Sequence, residues 1–275
     1  VGSAVDIDRA TVEREMGLDQ PIFTQYLKWV GNIVLHGDLG NSLWKSTPVV
    51  ELIATRWPVT LELGVLAIVV AQLIALPIGI FSAVRQDTVP DYIARSFAIF
   101  CIAVPGFWLG TMIIVFPSIW WGWSPPIVIV RFLEDPLRNL GMFIIPAIVL
   151  GMAMSGTTMR MTRTMMLEVL RQDYIRTAWA KGFRERVVVT RHALKNALIP
   201  VVTIIGLQIP VMVGGTVIIE EIFTLPGMGR LIIEATTRRD YTIVSGTMLL
   251  VGVVIIAVNL ARSEERRVGK ECATG

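Results

Sequence analysis

Five stretches of the chain stay apolar long enough to cross a hydrocarbon core about 30 Å thick at 1.5 Å per helical residue. They are Val59 to Ile80, Phe97 to Trp121, Met142 to Met159, Leu198 to Ile219 and Ile243 to Ala261, and only Glu62 places a formal charge inside them. Pro77, Pro105, Pro146 and Pro210 fall within these stretches. In a soluble helix interior each would cost about 3 kcal/mol, whereas packed membrane helices tolerate them. A soluble α/β protein with buried strands is the competing pattern, but such strands run only about 4 to 8 residues between turn signals. The predicted class is therefore all-α, a polytopic membrane protein with five spans.

The polar segments between the spans set the orientation. Arg160, Arg163, Arg171, Arg176, Lys181, Arg184, Arg186, Arg191 and Lys195 crowd one loop, against Glu168, Asp173 and Glu185. Lys and Arg near span ends mark the cytoplasmic side. By alternation, Ser82 to Ser96 is also inside, and Gly122 to Gly141 and Thr224 to Thr242 are outside. The head, residues 1–56, is then extracytoplasmic, which leads to the expectation that a further span precedes it and that the intact protein has six. Neither a signal peptide nor a retained anchor is expected at Val1. Within the head, Asp8 to Met16 is suited to a short helix ended by Gly17. Gln25 to Leu35 reads as an amphipathic helix at the membrane surface with Trp29 as its anchor.

The basic loop is more than a charge run. Leu167, Leu170, Tyr174 and Ala178 recur at helical spacing, as do Ile175, Trp179 and Phe183, which predicts helix through about Lys181. Gly182 can adopt the left-handed conformation that ends it. A solvated linker that only touches anionic lipid needs neither these aromatics nor the small Thr177, Ala178, Ala180 and Gly182 among them. Small residues allow another surface to approach the backbone, and the bulky ones fill a pocket in it.

Here the sequence resembles a known family. DYIRTAWAKGFRERVVVTRHALKNALIP, Asp173 to Pro200, is similar to the coupling loop, or EAA loop, of bacterial ABC importer permeases, especially the dipeptide and oligopeptide branch. MGLDQP (Met16 to Pro21), GDLGNS (Gly37 to Ser42), RWPVTLELG (Arg56 to Gly64), VPGFWLG (Val104 to Gly110) and FTLPGMGRL (Phe223 to Leu231) agree, so the resemblance runs from about Thr11 to Leu260. Arg176 and Thr177 replace the Glu and first Ala of the general pattern, as is usual in the peptide branch.

The resemblance implies a type I, MetI-like transmembrane domain over residues 57–261, with its coupling loop at about 160–197. It implies a permease subunit that moves peptides or similar small solutes across the bacterial cytoplasmic membrane by alternating access. Its implied partners are a second related permease, two cytoplasmic ATPases that bind ATP and Mg, an extracytoplasmic solute-binding protein and membrane lipid, without nucleic acid. No GxxxxGK[ST] run occurs in the chain, so nucleotide is expected on the partner and no catalysis or cofactor here. Matched residue by residue, the coupling elements are Asp173, Tyr174, Arg176, Thr177, Ala178, Ala180, Lys181 and Gly182, with Arg191, His192 and Asn196 tying them to the next span. Gly206, Gly214, Gly215 and Gly246 are candidates for close helix crossing or for the pore. Glu62 is a candidate for a gate, for an ion pair with Arg56 or for an interfacial anchor.

Composition narrows the picture further. A mean hydropathy of +0.64 and 17% charged residues exclude an ordinary soluble chain. Cys101 and Cys272 form no disulfide or metal framework. Arg262 to Cys272 reads RSEERRVGKEC, which one frame of a common sequencing adapter encodes, so residues 262–275 are expected to be an artefact rather than a basic tail. Without it the net charge falls from +3 to +2, since four cations and three anions leave with it. Both ends are thus expected to be truncated.

An ion-coupled secondary transporter or channel is the alternative of another class, although the polar mid-span residues, Gln72 and Gln208, do not titrate. A scaffold or lipid-binding protein would have no purpose for the coupling motif. Within the same permease branch, nickel complexes, glutathione or oligosaccharides are alternative cargoes to peptides.

Overall fold

The computed structural model describes residues 20–126 and 130–274, and the side chains of residues 211, 213 and 261–274 fall outside that description. The expected helix at Asp8 to Met16, the start of the MGLDQP motif and the side chain of Cys272 therefore lie outside the described residues. The first described helix, α1 (Ile22–His36), contributes no residue to the core and ends at Gly37 with φ 65°. Ile22, Phe23, Val34 and Leu35 are all exposed along it.

The long span α2 (Val49–Val84) is followed by α3 (Val89–Ala103), α4 (Gly106–Trp121) and the long α5 (Pro136–Leu170). Next comes the short α6 (Asp173–Ala180). A single turn, α7 (Glu185–Val187), a π-helical segment (Val188–Ala193) and α8 (Leu194–Ile222) follow without a break. Finally α9 (Met228–Thr237) leads into α10 (Tyr241–Thr274).

Among the described residues four helical runs are long and apolar enough to cross a membrane: Val49–Val84, Pro136–Leu170, Glu185–Pro210 and Tyr241–Leu260. A fifth crossing requires α3 and α4 together, and these meet at an angle of 91°. The second expected span is therefore not one straight helix. The residue before a proline is driven out of the α region, and Val104, before Pro105, is extended at φ −80°, ψ 120°. Pro77, Pro146 and Pro210 stay inside continuous helices. The difference lies in context: Gly106 and Gly110 follow Pro105, and a break there swings α4 across α8, with the Gly110 Cα side facing Phe223.

The core forms where α2, α5 and α8 cross. Leu63, Ala67 and Ala71 from α2 meet Phe143, Ala147, Val149 and Leu150 from α5, with Met212 and Ile219 from α8. Small residues allow the close approach: a methyl group on Gly151 would lie 2.7 Å from the Ala67 carbonyl, and one on Gly79 would lie 2.9 Å from that of Met159. Of the glycines singled out from sequence, Gly246 does the same against Val49, and Gly215 lies against Leu150. Gly214 faces open space, so it does not serve a helix crossing here. Gly206 is half-buried.

Candidate functional site

At the end of the bundle that carries the basic loop, helix α6 hangs between α5 and the run that becomes α8. Gln172 precedes it and Asp173 supplies an acidic first turn, which complements the helix dipole. Gly182 ends the turn at φ 77°, with open space where a side chain would be. The amphipathicity is short and strong. Ile175 and Ala178, three residues apart on one face, are buried against Ala83, Met166, Val188 and Ala197. On the other faces Tyr174, Trp179 and Phe183 remain 42%, 44% and 44% exposed.

Two contacts fasten this helix to the following span. The Asn196 amide donates to the Tyr174 hydroxyl oxygen at 2.7 Å, and the Phe183 and His192 rings stack with centroids 5.7 Å apart. Both come from residues that the sequence reading paired with the loop. Asp173 and Arg176 form only an exposed ion pair at 3.4 Å, worth little in water. Thr177 donates back to the Asp173 carbonyl within the helix. Ala180 and Lys181 lie exposed on the outer side of the turn.

Two expectations are corrected. Ala178 belongs to the packed face, because the i, i+3 spacing from Ile175 turns it inward. Arg191 is exposed and makes no side-chain hydrogen bond or ion pair among the described residues, so it does not join loop to span.

The joint itself contains the π segment Val188–Ala193. One extra residue per turn widens the helix there, a feature often found at functional positions. The sequence signal for it is faint: three valines and a threonine, Val187 to Thr190, crowd the backbone of this turn.

A second polar assembly, absent from the sequence reading, lies at the same end of the bundle, between α2, α3 and α5. Asp91 is fully buried and takes two hydrogen bonds from Arg163, at 2.9 and 2.8 Å, and others from the Ser82 hydroxyl and the Asp87 amide. Arg95 adds an ion pair at 3.5 Å. Three elements are thereby held together.

At the opposite end two more carboxylates are buried. Glu220 takes hydrogen bonds from the Thr60 hydroxyl at 2.7 Å and from the Gly229 and Arg230 amides at 2.7 and 3.2 Å. Thr60 in turn accepts from the Met228 amide. Asp240 accepts from the Ser42 hydroxyl at 2.7 Å and the Leu43 amide at 3.0 Å, while the Trp44 indole donates to the Arg238 carbonyl. The GDLGNS and FTLPGMGRL motifs are therefore parts of two locks at one end of the bundle. Glu62 does not pair with Arg56. It interacts instead with the Asn139 side chain, and one of its oxygens has no partner.

Residues 75–263, well over half of the chain, match the family described as "Binding-protein-dependent transport system inner membrane component". The chain belongs to that family. The inner-membrane components most similar to it include a putative peptide transport system permease protein of Brucella suis biovar 1 (strain 1330). It is 42% identical over 253 residues, covering 91% of this chain and 80% of that protein. The dipeptide transport system permease protein DppB of Escherichia coli K12 is 42% identical over 269 residues, covering 90% and 79%. The oligopeptide transport system permease protein AppB of Bacillus subtilis 168 is 42% identical over 260 residues, covering 92% and 81%.

The fold agrees with that of inner-membrane components already solved. An inward-facing structure of the MetNI methionine ABC transporter superposes with a TM-score of 0.64 at 15% identity, covering 79% of this chain and 95% of that one. An amino acid ABC transporter solved with histidines gives 0.59 at 15%, covering 79% and 94%. The chain is a multi-pass membrane protein with the MetI-like fold and a permease subunit of an ABC importer, a machine that works with ATPase and binding-protein partners. The secondary-transporter alternative is not favoured.

Proposed function

We propose that this permease moves peptides or similar small solutes inward across the cytoplasmic membrane, driven through α6 by a separate ATPase. The observation that carries the reading is the two-faced construction of α6. Ile175 and Ala178 lock it to α2, α5 and α8 from within, while Trp179, the exposed parts of Tyr174 and Phe183 and the bare turn at Gly182 are left for another surface. A rigid helix tied at both ends to long spans transmits displacement as a lever rather than absorbing it.

In this reading the loop from Arg160 to Lys195 faces the cytoplasm, and α6 seats in a cleft of the ATPase. ATP and Mg are bound by that partner, so this subunit performs no chemistry of its own. The complex contains a second related permease, two ATPases and an extracytoplasmic solute-binding protein. Residues 57–261 form the working domain, residues 1–56 belong to the extracytoplasmic side, and residues 262–275 are derived from an adapter. The peptide class is supported by the names of relatives 42% identical to this chain.

The test uses the intact importer. Gly182→Glu, and independently Trp179→Ala, which alters an exposed ring and spares the packed face, are expected to abolish co-purification of the ATPase and to lower ATP-driven uptake at least tenfold. Uptake at the unmodified level in both variants would overturn the docking role. Uptake in vesicles powered by an ion gradient without ATP would overturn the importer reading itself.

A further inference from the structure

A cavity of about 180 Å³ opens beside the Asp91 assembly, between the inner ends of α2, α3 and α5. Three arginines line it, Arg95, Arg160 and Arg163. The carboxylate beside them, Asp91, is already hydrogen-bonded by Arg163, Ser82 and the Asp87 amide. Arg160 is exposed and has no carboxylate within ion-pair distance among the described residues. Arg95 reaches Asp91 through Nη2 only at 3.5 Å, lies over the Tyr92 ring at 4.3 Å, and has no hydrogen-bond acceptor at Nε or at that Nη2. The site therefore carries three cations against two carboxylates, Asp91 and the nearby Asp87.

Its lining is graded. Arg95, Arg163, Ser82 and Thr164 lie toward the basic end of the bundle, Ile78, Ala98 and Ile99 lie about one turn deeper in their helices, and Arg160, next to Met159, lies about one turn deeper than Arg163. A soluble anion would need polar surroundings on every side. A phosphodiester attached to an acyl chain needs cations at the membrane boundary and apolar wall below them, and basic pockets between membrane helices on the cytoplasmic side bind lipid head groups for this reason.

We infer that this cavity is a binding site for one anionic phospholipid of the inner leaflet, its phosphate held by Arg95 and Arg160 and its acyl chain lying along Ile78 and Ile99. The inference rests on the cytoplasmic orientation proposed above. Arg163 is the positioning residue of the site, since its guanidinium is committed to Asp91 and holds α3 against α5. Bound lipid would brace the same three helices that Asp91 joins, next to the root of the coupling helix.

The experiment is native mass spectrometry of the complete importer, purified in mild detergent and titrated with phosphatidylglycerol or phosphatidylcholine, with ATP-driven uptake measured on the same preparations. Retention of one phosphatidylglycerol in preference to phosphatidylcholine is expected. Retention should weaken about fivefold in Arg160→Gln and about thirtyfold in the double variant Arg95→Gln/Arg160→Gln, following about 1 kcal/mol per arginine. Arg171→Gln, outside the cavity, should not change it. Equal retention in the unmodified protein and in Arg160→Gln would overturn the site, and Arg160, exposed and unpaired, keeps that comparison open if the double variant fails to assemble. Displacement of the lipid by millimolar inorganic phosphate would overturn the lipid assignment in favour of a soluble anion. Loss of ATP dependence with lipid retention intact would count against the importer reading alone.

Discussion

The residues that hold this permease together at its two ends are buried carboxylates, and each takes at least one hydrogen bond from a group distant in sequence. Glu220 is the clearest case. Its oxygens gather a hydroxyl from α2 and two amides from the start of α9, so one side chain closes the turn between α8 and α9 onto the first long span. Gly227 is required beside it, since any β-carbon there would overlap the carboxyl group. Glu220→Ala is expected to orphan three donors, at a cost on the order of 3 kcal/mol or more. Glu220→Gln should cost less, because the amide oxygen still accepts. Thermal unfolding of the purified complex checks both, and equal melting temperatures for Ala and Gln variants would contradict the hydrogen-bonding account. Gly227→Ala should resemble Glu220→Ala.

Among the elements, α3 and α6 show how position decides what a helix can do. α3 is only 15 residues long and breaks from α4 at Val104, so it depends on Asp91 to hold its first turn against α5. Removing one partner of a buried ion pair costs about 3 to 5 kcal/mol. Asp91→Ala is thus expected to raise amide hydrogen exchange over residues 89–95 by two orders of magnitude or more, while α8 is unaffected. Uniform exchange across the bundle would show that the pair does not secure α3 locally. The end of α6 was legible beforehand from Gly182, whereas helical spacing ran on from Leu167 and gave no sign of the break between Leu170 and Asp173. Which residues point inward was less so, because Tyr174 and Ala178 recur together in the pattern and yet only Ala178 packs against the bundle.

For the whole molecule, the outer helices remain largely uncovered by the chain itself. Leu73 is 70% exposed, Ile256 60% and Val253 54%, apolar surface that bilayer and partner subunits are suited to cover. The two ends of the bundle differ in kind. One carries the Glu220 and Asp240 locks, and the other carries the basic loop with α6. If the basic end is cytoplasmic, an impermeant maleimide added to intact spheroplasts should label Lys45→Cys and spare Lys181→Cys, both exposed positions, with Cys101 buried and silent. The opposite labelling would invert the topology.

Hydrophobic length and charge bias act locally along a chain, so the sequence alone determined the membrane class, the approximate spans, the basic loop and the helix that Gly182 ends. Its motifs, taken together, also determined the family. Tertiary structure decided what depends on distance through space. It bent the second span at Pro105, where glycines and a packing partner permit it, and kept the other expected prolines inside continuous helices. It joined Ser42 to Asp240 across 198 positions and Thr60 to Glu220 across 160. Those acids look like ordinary loop charges when read in order. A buried carboxylate is identified by the donors that surround it, and the fold alone brings those donors together.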